Sequence, residues 1–172
     1  EWTESTWNPV TGCTKISPGC KFCYAERMAK RLQAMGQPNY VDGFRLALQP
    51  HMLEKPLQWK KPQTIFVNSM SDLLHQKIPL DYIDKFSDVM EEADQQVYQV
   101  LTKRSSLMRN YLNNRYKNKL APSHIWVGVS IETQRELVRL HHLKQSRAAV
   151  RFVSFEPLLA AIGKVSMDGI SW

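Results

Sequence analysis

The 172-residue chain contains no apolar run near the roughly 20 residues that a membrane-crossing helix requires, and stretches such as Ile65-Phe66-Val67 end after a few positions. No bilayer-spanning helix is expected. Only three cysteines are present, an odd number and all between positions 13 and 23, which fits a secreted scaffold stapled by paired bridges poorly and makes a reducing cytoplasm the expected setting. Seven glycines and nine prolines are scattered rather than clustered, so the chain lacks a low-complexity block or an obvious linker and reads as one domain over 1–172. The opening Glu1-Trp2-Thr3-Glu4 has neither an initiator methionine nor the basic-then-apolar pattern of a signal peptide and reads as an interior start point.

Acid is also missing locally. None occurs between Asp94 and Glu132, the interval that holds Lys103, Arg104, Arg109, Arg115, Lys117 and Lys119. With a net charge of +7, this segment from Lys103 to Lys119 favours a polyanionic partner such as DNA, RNA or a nucleotide. The remaining composition, 43% apolar and 23% charged, is enough to build a core.

Thr64 to Asn68 is a short β-branched and aromatic run behind Pro62, the pattern of a strand buried on both faces. Pro79 then precedes Leu80, Ile83, Phe86, Val89, Met90 and Ala93 at helical spacing. Strand character returns at Val97–Leu101, Ile125–Val129 and Phe152–Phe155. Between these runs, Leu107, Met108, Tyr111, Leu112 and Tyr116 mark a helix capped by Ser105 or Ser106, and Thr133-Gln134-Arg135-Glu136 is a capping box opening another through Leu137, Leu140 and Leu143. Phe44–Leu48 and Val10-Thr11-Gly12 are weaker strand candidates. Strands recurring every 26 to 33 residues with helices between them predict βαβ units and a parallel α/β sheet, either curled into a partial (β/α) barrel or open and doubly wound. No glycine-rich phosphate loop of Rossmann or Walker type follows any of these strands, which weakens the doubly wound reading. Met167 to Trp172 reads as a turn entering one more strand, so the last unit of the barrel is expected to be missing from this chain.

Both designs put chemistry at the carboxyl ends of strands. The residues expected there form a polar rim: Asn68, Ser69, Ser71 and Asp72, then Thr102, Lys103 and Arg104, then Ser130 and Glu132, then Ser154 and Glu156. Several have plain structural readings as well. Glu132 could simply face a helix N-terminus and Ser130 a local backbone group, while Lys103 and Arg104 are placed to meet a carboxylate or phosphate.

Residues 12–24 carry the sharpest signal. Cys13, Cys20 and Cys23 have the spacing C-x6-C-x2-C, with Pro18-Gly19 turning the chain and Cys23 opening a helical pattern through Ala25, Met28, Ala29, Leu32 and Met35 to Gly36. Three readings compete. A structural zinc needs a fourth ligand, and His51 and His75 are not at finger-like spacing. A Cys20–Cys23 redox pair leaves Cys13 unexplained. An iron–sulfur cluster with three cysteine ligands and one open iron accounts for all three thiols, and this reading leads.

Cys20-Lys21-Phe22-Cys23-Tyr24, with an aromatic residue just before the last cysteine, resembles the C-x-aromatic-C signature of the radical S-adenosylmethionine (SAM) superfamily. More narrowly, Trp7-Asn8-Pro9-Val10-Thr11-Gly12-Cys13, Cys23-Tyr24-Ala25-Glu26-Arg27-Met28-Ala29 and Ser154-Phe155-Glu156-Pro157-Leu158-Leu159 are similar to a phage and bacterial family of unknown function placed near those proteins. Two departures stand out: six residues separate the first two cysteines where the superfamily has three, and no Gly-Gly-Glu segment is present. The resemblance implies a partial barrel with a 4Fe-4S cluster on Cys13, Cys20 and Cys23. It implies SAM bound at the open iron and cleaved, with an electron from a donor, to a 5′-deoxyadenosyl radical. It also makes Phe22, Tyr24, Ser71, Asp72, Lys103, Ser130, Glu132, Ser154 and Glu156 candidates for holding SAM. Against this enzyme stands a non-catalytic nucleic-acid-binding module stabilised by zinc or iron–sulfur through the same cysteines, or a degenerate barrel that keeps its metal for stability alone. Trp2 and Trp7 either shield the cluster or anchor the amino end.

Overall fold

The computed structural model describes residues 3–172, so Trp2 lies outside the described residues. In chain order the elements are β1 (Ser5–Trp7), β2 (Val10–Thr11), α1 (Tyr24–Ala34), β3 (Ala47–Leu48), β4 (Thr64–Val67), α2 (Leu80–Glu92), β5 (Val97–Thr102), α3 (Ser105–Arg115), β6 (Ile125–Ser130), α4 (Val138–Lys144) and β7 (Val150–Ser154). Short β2 and β3 pair antiparallel. The other five strands form one parallel sheet in the order β1-β4-β5-β6-β7. Because each new strand is added on the same side of the last, the sheet has no reversal of strand order, the feature that defines a doubly wound fold. The fold is therefore mixed α/β, a parallel sheet flanked by helices and wound in one direction.

Register explains the core. Val67 pairs with Val100, and Val100 with Val127, so one apolar layer runs across three adjacent strands. Ile65, Tyr98, Ile125 and Val129 extend it, and Ile83, Phe86, Met90, Met108 and Leu112 from α2 and α3 pack in the same core. Trp7 belongs here. Its ring lies 4.8 Å from Phe86 and 5.9 Å from Tyr98, and its Nε1 donates to the carbonyl of Met52 at 2.7 Å. It anchors the amino end in the core rather than shielding a cluster.

Three local expectations need correction. Leu80 is exposed at the start of α2, where Tyr82 and Ile83 are the buried residues of the first turn. Neither Ser105 nor Ser106 caps α3: the chain enters that helix at Arg104, and the Ser105 hydroxyl instead pairs with His142 Nδ1 at 2.9 Å. Met28 of α1 and Met35 just after it stand exposed, since that helix meets only a small secondary core of Ala25, Ala29 and Met70. The capping box at Thr133 and Glu136 is present, opening a short 3-10 turn that runs into α4.

Gly128 on β6 sits beneath the Phe152 ring of β7, where an added Cβ would come within 2.5 Å of ring carbons. Gly128→Ala is expected to destabilise the fold by about 1–3 kcal/mol through overpacking, measured as a shift in urea midpoint with unchanged slope. At the free edge of β7, Val153 N–H donates to the Trp172 carbonyl at 3.0 Å and Trp172 N–H to the Arg151 carbonyl at 3.3 Å. These two bonds pair the end of the described chain with β7 in a parallel pattern. Among the described residues no helix is long and apolar enough to cross a membrane.

Candidate metal centre

The loop carrying the three cysteines lies on the carboxyl edge of the sheet, held by buried ion pairs at two places. The first is at Cys13 and Thr14. Asp72, in the turn after β4, accepts from Thr102 Oγ1 at 2.7 Å, Leu74 N–H at 3.0 Å, Lys103 N–H at 3.2 Å and Arg104 Nη1 at 2.9 Å. That carboxylate fixes the Arg104 guanidinium, whose side chain is only 4% exposed. Arg104 in turn donates to the Thr14 carbonyl at 3.0 Å, to Thr14 Oγ1 at 3.2 Å and to Cys13 Sγ at 3.5 Å. Buried His75 completes the group. Lys77 N–H donates to its Nδ1, so the ring proton sits on Nε2 and points to Thr14 Oγ1 at 2.9 Å. Burial, then the Arg104 charge, lower the His75 pKa and favour this neutral ring.

The second holding point is Glu132, fully buried after β6. One of its oxygens accepts from Arg139 Nη1 of α4 at 2.9 Å; the other accepts from Ser17 Oγ at 2.8 Å and lies 3.6 Å from Lys103 Nζ. Gly19 packs so closely on this side chain that an added Cβ would sit 2.5 Å from Glu132 Cγ. The Pro18-Gly19 turn is thus required by contact with the sheet as well as by chain reversal.

The thiols differ in their surroundings. All three are half-buried and none is in a disulfide. Burial pushes the Cys13 thiol up, and the Arg104 charge only partly opposes this. For Cys20 burial also acts upward, but hydrogen bonds from the Ile16 and Ser17 backbone and the Ser17 hydroxyl, with Lys103 nearby, leave it below its ordinary value. Cys23 occupies the N-cap position of α1. In kind, three unpaired thiols on one loop fit an iron–sulfur cluster with a free iron. In spacing they are not yet gathered: among the described residues no three His, Cys, Asp or Glu side chains stand together as a metal-binding group.

The sequence-predicted site residues divide. Asp72, Lys103 and Glu132 meet the cysteine loop or its anchors, so the two acids hold that loop rather than facing outward. Ser71 Oγ donates to the Val10 carbonyl at 2.9 Å. Tyr24 hydroxyl donates to the Ser69 carbonyl, and burial, with the nearby Cys23 and Glu156 charges, pushes it up to about 12. Phe22 is largely exposed, with Lys21 Nζ 5.3 Å above its ring. Ser130 is buried and its carbonyl accepts from Arg139. The Ser154 carbonyl accepts from Ile131 N–H, and Glu156 is exposed before a cis Pro157. Arg139, Thr14, Ser17 and His75 were not predicted. Of these, Arg139 meets Glu132 because the 3-10 turn after the capping box leads the chain back into α4 beside the end of β6.

A cleft of about 700 Å³ opens beside Cys13 and is lined by Thr14, Phe44, Arg45, His75 and Lys77 among others. The basic segment does not form one face. Lys103 and Arg104 are drawn into the loop anchors, whereas Arg115 meets Asp84, Asp88 and Glu91 of α2. Lys117 and Lys119 lie exposed beyond the far end of α3. No curated protein and no solved structure matches the chain. A family model described as "Protein of unknown function (DUF5131)" matches residues 1–172. With every position of the cysteine loop and the sheet inside that match, the chain belongs to the DUF5131 family.

Proposed function

We propose that this protein is a radical SAM-like iron–sulfur enzyme in which Cys13, Cys20 and Cys23 hold a 4Fe-4S cluster and the adjoining cleft takes SAM. The observation that carries the reading is a loop of three unpaired thiols fastened by two buried ion pairs to the carboxyl edge of a parallel sheet. The strand order, wound one way, supports a sheet that curls into a partial (β/α) barrel with this loop across its mouth. When bound, such a cluster supplies the electron that cleaves SAM. The chain's own part is positioning. Asp72 with Arg104 and Glu132 with Arg139 hold the two halves of the loop, and the cleft is lined by charges of both signs, Arg45 and Lys77 with Glu26 and Asp42, which suits the carboxylate and ammonium ends of a zwitterionic ligand. The cleft's size lies within the range that suits a small-molecule ligand, about 300–1,000 Å³. Phe22 and Tyr24 flank Cys23, and the Tyr24 hydroxyl ties that end of the loop to the Ser69 carbonyl.

Anaerobic reconstitution with iron and sulfide is expected to load both in equal amounts and to give an electron paramagnetic resonance spectrum that changes when SAM is added. Cys13→Ala, Cys20→Ala and Cys23→Ala each lose most of the iron. Stoichiometric zinc without sulfide in anaerobically purified protein would overturn the proposal.

A further inference from the structure

Arg104, between β5 and α3, meets the first cysteine of the loop, and its Nη1 is shared. The same nitrogen donates to Asp72 Oδ2 at 2.9 Å and to Cys13 Sγ at 3.5 Å, while Nη2 takes the Thr14 carbonyl and hydroxyl. A guanidinium keeps its charge at any ordinary pH, and this buried one has little water around it to screen that charge. Cys13 is fixed as firmly from its own side. Gly12 N–H donates to the Met70 carbonyl at 3.0 Å and Cys13 N–H to the Phe44 carbonyl at 3.3 Å. Gly12 itself has a φ of +76°, and an added Cβ there would lie 2.1 Å from the Arg45 carbonyl oxygen, so the chain is pressed against residues 44–45 just before the cysteine. The contact between guanidinium and sulfur therefore exists with the loop where it stands.

Holding Thr14 takes only Nη2. Aiming Nη1 at the sulfur sets a fixed positive charge against a side chain that, once it coordinates a metal, is a thiolate. We infer that Arg104 is a positioning residue for the iron–sulfur centre, fixing Cys13 Sγ and favouring the centre's reduced form through its charge and its N–H···S bond. This rests on the proposed function, since it concerns the cluster those cysteines would hold. Reduction adds negative charge, so a cation and a hydrogen-bond donor at a ligand sulfur raise the reduction potential. Asp72 is bonded to the same nitrogen, and its negative charge acts in the opposite sense. The two members of one ion pair should thus move the potential in opposite directions.

The test is the midpoint potential of the anaerobically reconstituted protein, followed by electron paramagnetic resonance during a mediated redox titration. Arg104→Gln keeps an amide donor and removes the charge. It is expected to disfavour the reduced form about tenfold, a fall of about 59 mV for one electron. Asp72→Asn keeps an acceptor for Arg104 and is expected to raise the potential. A loop merely loosened by losing the pair would shift both variants the same way or neither, and either result overturns the inference. Arg104→Gln alone strands the buried Asp72 carboxylate, so the double variant Arg104→Gln with Asp72→Asn, a neutral pair in the same place, guards against a chain that fails to fold. Its potential is expected to lie below that of Asp72→Asn, and equality of the two overturns the inference while leaving the cluster in place. A wild type that takes up no iron and sulfide removes the proposed function and this inference with it.

Discussion

Replacing Asp72 with Ala is expected to lower the unfolding free energy by about 3–5 kcal/mol, because it strands the Arg104 guanidinium in a site where the side chain is only 4% exposed. Set against a total stability of roughly 5–15 kcal/mol, that loss is large enough to unfold part of the population at 37 °C. Four donors converge on this carboxylate, from Thr102, Leu74, Lys103 and Arg104, and all lose their acceptor at once. Asp72→Asn keeps the shape and one acceptor oxygen, and is expected to cost less. Urea unfolding checks both. A loss below about 1 kcal/mol for Asp72→Ala would mean that solvent reaches Arg104 and that the pair is not an anchor. The local consequence is at Cys13. Without Asp72 nothing fixes the guanidinium that grips Thr14, so tryptic cleavage after Lys15 is expected to accelerate even where the rest of the fold survives.

Glu132→Ala is the second large effect, again about 3–5 kcal/mol, since it leaves buried Arg139 without its carboxylate and Lys103 without its neighbour. This site also allows a coupling test. Gly19→Ala is expected to destabilise the wild type, because its new Cβ would press on Glu132 Cγ, and to be nearly neutral where Glu132 has already been shortened to Ala. The double-mutant cycle should give an interaction energy of about 0.5–3 kcal/mol of compensating sign. Strict additivity would show that Gly19 and Glu132 do not share a contact in solution, and the docking of the Pro18-Gly19 turn on the sheet would fall with it. Glu132→Gln separates charge from shape: it retains the acceptor for Ser17 and loses the balance of charge with Arg139.

The two anchors recast the acidic rim. An acid at a strand tip with a cation after it looks, in sequence, like a group waiting for a ligand. Here Asp72 and Glu132 are saturated by the protein itself, and what they hold is the cysteine loop. The same packing accounts for the basic segment. Lys103 and Arg104 turn inward as partners of those acids, Arg115 is drawn to α2, and the remaining lysines are separated along α3 from the carboxyl edge. Lys103, Arg104 and Arg115, three of the six cations in a stretch with no acid of its own, are thus paired with acids that come from elsewhere in the chain.

What the one-dimensional pattern determined was local. Short apolar β-branched and aromatic runs located β4 to β7, and period-3.6 apolar spacing located α2 to α4, because a strand inside a sheet buries both faces and a helix on it buries one. The capping box at Thr133 and the clustering of Cys13, Cys20 and Cys23 were equally legible, since each is completed within a dozen residues. Only the tertiary structure decided the direction in which the strands are added, which separates a singly wound sheet from a doubly wound one with identical spacing. It alone brought Arg104 to Cys13, ninety-one residues away in the chain, and Ser17 to Glu132, one hundred and fifteen away. Pairing of buried charges and satisfaction of buried polar atoms depend on which distant segments share a dry interior, and no short-range pattern encodes that.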